Sequence, residues 1–259
     1  MHPVKIMFFD IDGTLVDPAT GKISDKTREA LKRLREKGIL LCVATGRPSV
    51  CLPDFGDLRF DAFCTFNGSL CYTEREIVHS DPVPTRDVST VLENAAALGR
   101  PVSVAVKDRL VANGYDVDLA DYYRLAGLEL EVSTDFASAL EEDIYQIMLG
   151  CRESDHEAIL RGTEGVKLAV SWERAADVIS ATGGKGVAIC KTAADFGLDV
   201  SQCLAFGDSY NDIEMLQAAG TGVAMGNAAP RLKEVADDVC GPVSEDGIYH
   251  YCVEHGLID

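Results

Sequence analysis

The strongest constraint on this chain is a recurring pattern: a short apolar run stops at polar, oxygen-rich residues, and a stretch with helical periodicity follows. Residues 4–9 run into Asp10-Ile11-Asp12-Gly13, residues 39–44 into Thr45-Gly46-Arg47, and residues 203–206 into Gly207-Asp208-Ser209-Tyr210-Asn211-Asp212. Continuous apolar runs need cover on both faces, which a parallel sheet between layers of helices provides. Between the first two runs, residues 24–37 carry helical spacing. Ser24 stands at a capping position, Ala30, Leu31 and Leu34 form the apolar stripe, and Gly38 sits where the helix must stop. The spacing therefore predicts a βαβ unit. A third run, 62–66, ends at Asn67-Gly68, a turn signal that opens toward a partner strand at 69–72.

The texture changes between Asp81-Pro82-Val83-Pro84 and Thr182-Gly183-Gly184, both rich in residues that break regular structure. Inside this stretch the pattern predicts helices at 85–98, 117–125 and 154–161. Strands are expected at 102–106, 109–112, 144–150, 166–172 and 176–180. Strand pairs beside helices imply an α+β insert over 83–183, carried by a core of 1–82 and 184–259. After the insert, alternation resumes with a helix at 185–196, a strand at 203–206, a helix at 213–219, a strand at 221–224 and a last helix at 230–236.

Composition removes several function classes. The chain has 259 residues, with 24 Lys plus Arg against 42 Asp plus Glu, a formal charge of −18. Nucleic acid would require a dense basic patch, and the sequence has none. The insert holds 9 basic and 18 acidic residues, so half of the excess lies there. The longest apolar runs fall far short of the roughly 20 residues of a membrane span. Residues 1–9 lack the length and cleavage site of a signal peptide, which predicts a cytoplasmic protein. Nine cysteines without a C-x-x-C pair argue against both a zinc site and a disulfide framework. We expect a monomer or a small homo-oligomer that uses neither nucleic acid nor membrane as partner.

Four motifs carry chemistry. Asp10 and Asp12, one residue apart at a strand end, repel each other unless a cation or a shared proton lies between them, and Gly13 lets the chain turn away. An EF-hand begun at Asp10 fails, because Leu15 and Gly21 stand where it needs Gly and Glu. Thr45 and the backbone N–H groups after it can receive a phosphate oxygen beyond the strand end. Lys185, in Gly183-Gly184-Lys185-Gly186, opens a helix at the end that favours anions, so a bound anion would account for it. The flanking residues are not those of a Walker loop. Asp208, Asn211 and Asp212 supply hard oxygen donors suited to Mg²⁺. Each motif has an ordinary reading as turn, cap or solvated charge; their convergence on strand ends of one sheet favours a site.

In the identity and order of these motifs the chain resembles the haloacid dehalogenase superfamily of phosphotransferases, and within it the Cof-type phosphatases with a subtype IIB cap. Asp10-Ile11-Asp12-Gly13-Thr14-Leu15 is similar to the first family motif, Thr45-Gly46-Arg47 to the second and Lys185 to the third. Gly207-Asp208 through Asn211-Asp212 is similar to the fourth, and Asn67-Gly68 also recurs in that branch. The resemblance spans essentially the whole chain. It implies an α/β fold, with a doubly wound parallel-sheet, Rossmann-like core and an inserted α+β cap domain that sets specificity.

It further implies a Mg²⁺-dependent phosphatase acting on a small phosphorylated metabolite, a sugar phosphate or a phosphorylated cofactor. Asp10 would be the nucleophile and form an aspartyl-phosphate. Asp12 would be the acid and base, a role that calls for surroundings favouring its protonated form. Asp10, the backbone carbonyl of Asp12, and Asp208 would hold the metal, with Asn211 and Asp212 completing or orienting its shell. Thr45 and Lys185 would bind the phosphoryl oxygens, and Gly46, Arg47 and Asn67 would also contact substrate. Arg109, Arg124, Arg152 and Trp172 are weaker candidates in the insert; His79, His156, His250 and His255 have no spacing that assigns them. Alternative readings are a phosphomutase or phosphotransferase using the same intermediate and a non-enzymatic phospho-acceptor module. Asp12 and the large insert argue against the second, since storing phosphate needs neither.

Overall fold

Strand β1 (Ile6–Phe9) is buried at every residue, and it has a parallel partner on each side. The computed structural model describes residues 3–259; Met1 and His2, the first residues of the expected 1–82 core segment, lie outside the described residues. After β1 come α1 (Asp25–Glu36), β2 (Leu40–Ala44), β3 (Ala62–Thr65), β4 (Leu70–Tyr72) and β5 (Ile77–Ser80). The insert contributes α2 (Thr85–Ala97), β6 (Val102–Val106), β7 (Arg109–Ala112), α3 (Val117–Leu125), α4 (Phe136–Ala139), β8 (Gln146–Gly150), α5 (His156–Ile159), β9 (Val166–Trp172) and β10 (Ala175–Ser180). The chain then returns through α6 (Lys185–Asp195), β11 (Cys203–Gly207), α7 (Ile213–Ala218), β12 (Thr221–Ala224), α8 (Pro230–Val235), β13 (Asp238–Val239) and α9 (Gly247–Glu254).

The core sheet has the order β13-β12-β11-β1-β2-β3-β4-β5, parallel as far as β3 and antiparallel from β3 to β5. Two helix pairs, α1 with α9 and α6 with α7, cover it. The continuous apolar runs are thus buried on both faces, as their composition requires.

The insert forms its own antiparallel sheet, β7-β6-β8-β10-β9. Val102, Val104, Ile147, Leu149, Ala176 and Val178 turn one face of it into a separate apolar core with Val88, Val91 and Ala95 of α2. Alternation along each strand then directs Ser103, Gln146, Met148 and Asp177 to the other face.

Four parts of the sequence reading need correction. The last helix is α9 rather than α8; it begins at Asp246 in a left-handed conformation (φ 58°) with no side-chain cap, so the usual start signal is missing. The two-residue β13 and the half-exposed edge strand β5 carry too little pattern to be read. The helix expected at 154–161 is a 3-10 turn followed by the four-residue α5. The Asn67-Gly68 hairpin turn is a 3-10 turn over Phe66–Gly68, with Phe66 (φ 52°) and Asn67 (φ 55°) both left-handed. Non-glycine residues pay for that conformation, and it is kept where the surroundings over-determine it.

Helix α1 follows its sequence signals closely. Ser24 Oγ accepts the Thr27 N–H at 3.1 Å, and Thr27, Ala30, Leu31 and Leu34 are buried. We expect Ser24→Ala to lower stability by about 1 kcal/mol, read as a shift in the urea midpoint at unchanged slope, and Ser24→Asp to recover most of it; a midpoint unmoved by Ser24→Ala would contradict the cap.

Candidate active site

The site grows from the register of three neighbouring strands. Phe9 of β1 lies opposite Phe206 of β11 and Val43 of β2, and the Phe9 and Phe206 rings stack at 5.5 Å. The residues that follow leave the sheet at one edge: Asp10 after β1, Thr45 after β2 and Asp208 after β11. The Asp10 N–H donates to the Phe206 carbonyl at 3.0 Å, so the first acid is fixed by the ladder itself. Ligands of open α/β sheets collect at such carboxyl ends.

Lys185, the first residue of α6, reaches into this edge with its side chain 0% exposed. Its Nζ lies 2.7 Å from Asp10 Oδ1 and 2.6 Å from Asp212 Oδ1. The anion that accounts for a lysine at this helix end is therefore this pair of carboxylates. Asp212 Oδ2 meanwhile accepts the N–H groups of Asp208 and Ser209, both at 3.0 Å, so Asp212 ties the loop after β11 to the lysine. Thr14 Oγ1 donates to Asp208 Oδ1 at 3.2 Å.

Oxygens of Asp10, Asp208 and Asp212 all lie within 4.8 Å of one another. Burial pushes the carboxyls of Asp10 and Asp208 upward, mutual repulsion of the acids adds to this, and Lys185 opposes it; Asp208 is pushed up to about 8. Burial alone would pull Lys185 down, but Asp10 and Asp212 together more than offset it and hold the lysine above its usual value. With all three acids ionised, one lysine leaves the cluster negative. Its hard oxygen donors and unbalanced charge fit Mg²⁺. The approach depends on Gly13: at φ 82°, a Cβ there would stand 2.3 Å from Asp208 Oδ2.

Arg47 occupies a place the sequence reading does not anticipate. Its Nε and Nη2 each donate at 2.7 Å to the two oxygens of Asp12, while Nη1 donates to the carbonyls of Cys51 at 2.9 Å and Ala126 at 3.2 Å. Arg47, expected on substrate, grips Asp12 and reaches the insert. The Asp12 side chain is 45% exposed and faces a guanidinium. Thr45 is buried and its Oγ1 accepts the Arg47 N–H at 3.1 Å.

Asn67 links three segments. Its Oδ1 accepts from Asn211 Nδ2 at 2.9 Å, and its own Nδ2 donates to Asp177 Oδ2 at 2.9 Å and Gln146 Oε1 at 3.1 Å. Asn211, expected near a metal, thus has its amide nitrogen directed at Asn67. Gly46 makes room for both: a Cβ there would lie 3.1 Å from Asn67 Oδ1 and 3.3 Å from Asn211 Nδ2. Beside this group opens a cleft of about 620 Å³, lined in part by Lys185, Asn67, Asn211, Ala169 and Ile179. Lys167 and Glu214, paired at 2.7 Å, also line it and clasp insert to core.

The arginines singled out in the insert serve other partners: Arg109 pairs with Glu142, Arg124 with Asp121 and Arg152 with Asp118. Trp172 stacks on Tyr122 and lies under the Arg174 guanidinium. Sequence reasoning missed Thr14, Tyr122, Gln146, Asp177 and Asn227, whose Nδ2 donates to the Gly13 carbonyl at 2.8 Å. Only Thr14 lies inside a recognised motif; Asp177 is signalled solely as an acid within an apolar strand.

Known proteins resemble the whole chain. The profile of the haloacid dehalogenase-like hydrolases matches residues 7–252. YkrA of Bacillus subtilis (strain 168), whose name specifies a phosphatase but no substrate, is 33% identical over 262 residues, covering 98% of each chain. Pyridoxal phosphate phosphatase YbhA of Escherichia coli (strain K12) is 28% identical over 275 residues, covering 97% of this chain and 98% of its own. Among solved structures, the HAD subclass IIB sugar phosphatase BT4131 superposes with a TM-score of 0.92 at 28% identity, over 98% of this chain and 100% of that one. BT1666 from Bacteroides thetaiotaomicron, grouped with the phosphatases of the same superfamily, gives 0.91 at 27% identity, over 99% and 97%. A strand-end cluster of acids around a buried lysine, an inserted second sheet and a family profile across nearly the full length agree: the chain belongs to the haloacid dehalogenase-like hydrolases.

Proposed function

We propose that this enzyme is a Mg²⁺-dependent phosphatase that hydrolyses monoesters of small phosphorylated metabolites through an aspartyl-phosphate on Asp10. The observation that carries the reading is the meeting of Asp10, Lys185 and Asp208 at one sheet edge, beside a cleft. Names of relatives support the substrate class: one acts on pyridoxal phosphate and another is an HMP-PP phosphatase. Nine free cysteines accord with a reducing, cytoplasmic setting. Among the described residues no helix is long and apolar enough to cross a membrane.

Asp10 attacks phosphorus in line with the departing oxygen, while Thr45 and Lys185 hold the phosphoryl oxygens. Bound by Asp10, Asp208 and the Asp12 carbonyl, Mg²⁺ would supply the positive charge that lets one anion approach another. Asp12 gives its proton to the leaving oxygen, then takes one from the water that attacks the phosphorus and frees Asp10. Arg47, gripping both oxygens of Asp12, fixes where that carboxylate points. Asp212 and Asn211 position Lys185, the loop after β11 and Asn67.

Asp12→Asn should form the phosphoenzyme slowly and hydrolyse it more slowly still, cutting turnover of an aryl phosphate by about 10²-fold or more; rapid-quench measurement showing wild-type rates for both steps would remove Asp12 from that role. A second expectation needs no turnover. Protons and Mg²⁺ compete for carboxyls pushed up by burial, so Mg²⁺ should raise the melting temperature little at pH 5.5 and progressively more toward pH 8.5, past the value of about 8 for Asp208. The same sign makes the metal-free protein less stable as pH climbs, because the native state binds the extra protons. A Mg²⁺ effect that is absent, or that does not grow with pH, would show that these acids do not hold the ion.

A further inference from the structure

Asp177 is a buried carboxylate to which the reaction above assigns no task. It lies on β10 between Ala176 and Val178, which point into the insert's own core, so its side chain points the opposite way, toward the strand ends of the core sheet. One oxygen, Oδ2, takes two donors: Tyr122 Oη at 2.9 Å and Asn67 Nδ2 at 2.9 Å. The other, Oδ1, is buried with no hydrogen-bond partner, although Gln146 stands beside the group. The residue itself is 1% exposed. A buried carboxylate oxygen left without a donor is expensive and calls for an explanation.

The surroundings supply one. Ala169, directly opposite Asp177 in the β9–β10 register, and Ile179, two residues on along the same face, both line the cleft that Lys185, Asn67 and Asn211 also line. Asn67 spans the gap from Gly46 on the core to Asp177 on the insert. A phosphate ester with its phosphoryl group by Thr45 and Lys185 therefore presents its alcohol half alongside Asn67, toward Asp177.

Resting on the phosphatase reading, we propose that Asp177 binds a hydroxyl of the substrate's alcohol half, its Oδ1 accepting that hydroxyl proton, so that the enzyme prefers phosphate esters of polyhydroxylated alcohols, sugars and sugar alcohols, over esters of aromatic alcohols. Tyr122 and Asn67 hold the carboxylate in place by occupying its other oxygen. Burial pushes Asp177 up to about 7, opposed by the hydrogen bonds from Tyr122 and Asn67, so near neutrality it can accept from or donate to a hydroxyl, which does both. A site built around a substrate hydroxyl discriminates strongly against analogues without one.

The test compares kcat/KM for a panel of hexose, pentose and glycerol phosphates with that for p-nitrophenyl phosphate, in the Mg²⁺-loaded wild type, Asp177→Asn and Tyr122→Phe. The wild type should favour at least one polyol phosphate. Asp177→Asn should lower the polyol-to-aryl ratio by about tenfold or more, and Tyr122→Phe, which leaves the carboxylate but removes one of its anchors, by about threefold. If Asp177→Asn fails to fold, Tyr122→Phe carries the test alone. Equal losses on both substrate types, or an unmoved ratio in a folded variant, would overturn the proposal and leave Asp177 a tie between insert and core. A wild type that turns over aryl phosphate but no polyol phosphate overturns this proposal alone. One that turns over no ester removes the phosphatase reading and this proposal with it.

Discussion

The arrangement hangs on one fully buried lysine. A lysine with its side chain 0% exposed persists only with counter-charges at contact distance, and Lys185 finds them in Asp10 and Asp212, 175 and 27 residues away in sequence. This single contact ties the end of β1 to the start of α6 and to the loop after β11. It also sets the charge of the site: once the three clustered acids ionise, one lysine does not balance them, and a further positive charge is needed. The residues that hold the fold together here are the ones whose chemistry it exposes.

The same economy appears where insert meets core. Arg47 holds the oxygens of Asp12 and the carbonyl of Ala126, Asn67 joins Asn211 to Asp177, and Ser209 Oγ donates to the Ser171 carbonyl at 2.9 Å. The loops after β2, β3 and β11 thus each send a polar group to the insert. Phe66, held left-handed, packs at 5.3 Å against Tyr145 of the insert and supplies the apolar part of the contact. The charge of −18 does not conflict with a site for anions, because what a bound anion meets is the local charge, and Lys185 and Arg47 stand at the crevice itself.

Much of this was legible in the sequence because it is written locally. Ser24 and Gly38 delimit α1, the unbroken apolar runs mark β1, β2 and β11, and the acids or threonine ending each run mark one functional edge. The relations between distant segments were not legible. Arg47 could be placed at a strand end, but nothing local says that its guanidinium turns to Asp12 instead of solvent. Arg109, Arg124 and Arg152 stand in the sequence as weak candidates for substrate, and nothing local says that the folded insert sets Glu142, Asp121 and Asp118 beside them. Asp177 is one acid in an apolar strand, and its meaning comes from Asn67, 110 residues earlier. Strand β5 and helix α9 were missed for a different reason: an exposed edge and an uncapped helix start carry little pattern.

The claim on which the account turns is that Asp10, and no other acid of the cluster, receives the phosphoryl group. Acid-quenching the Asp12→Asn variant within one turnover of an aryl phosphate, then locating the added phosphate by peptide mass spectrometry, addresses it directly. The account predicts a phosphoryl group on Asp10 at a level that rises and decays with turnover. Phosphate release without any such species, or the group found on Asp208 or Asp212, would contradict it.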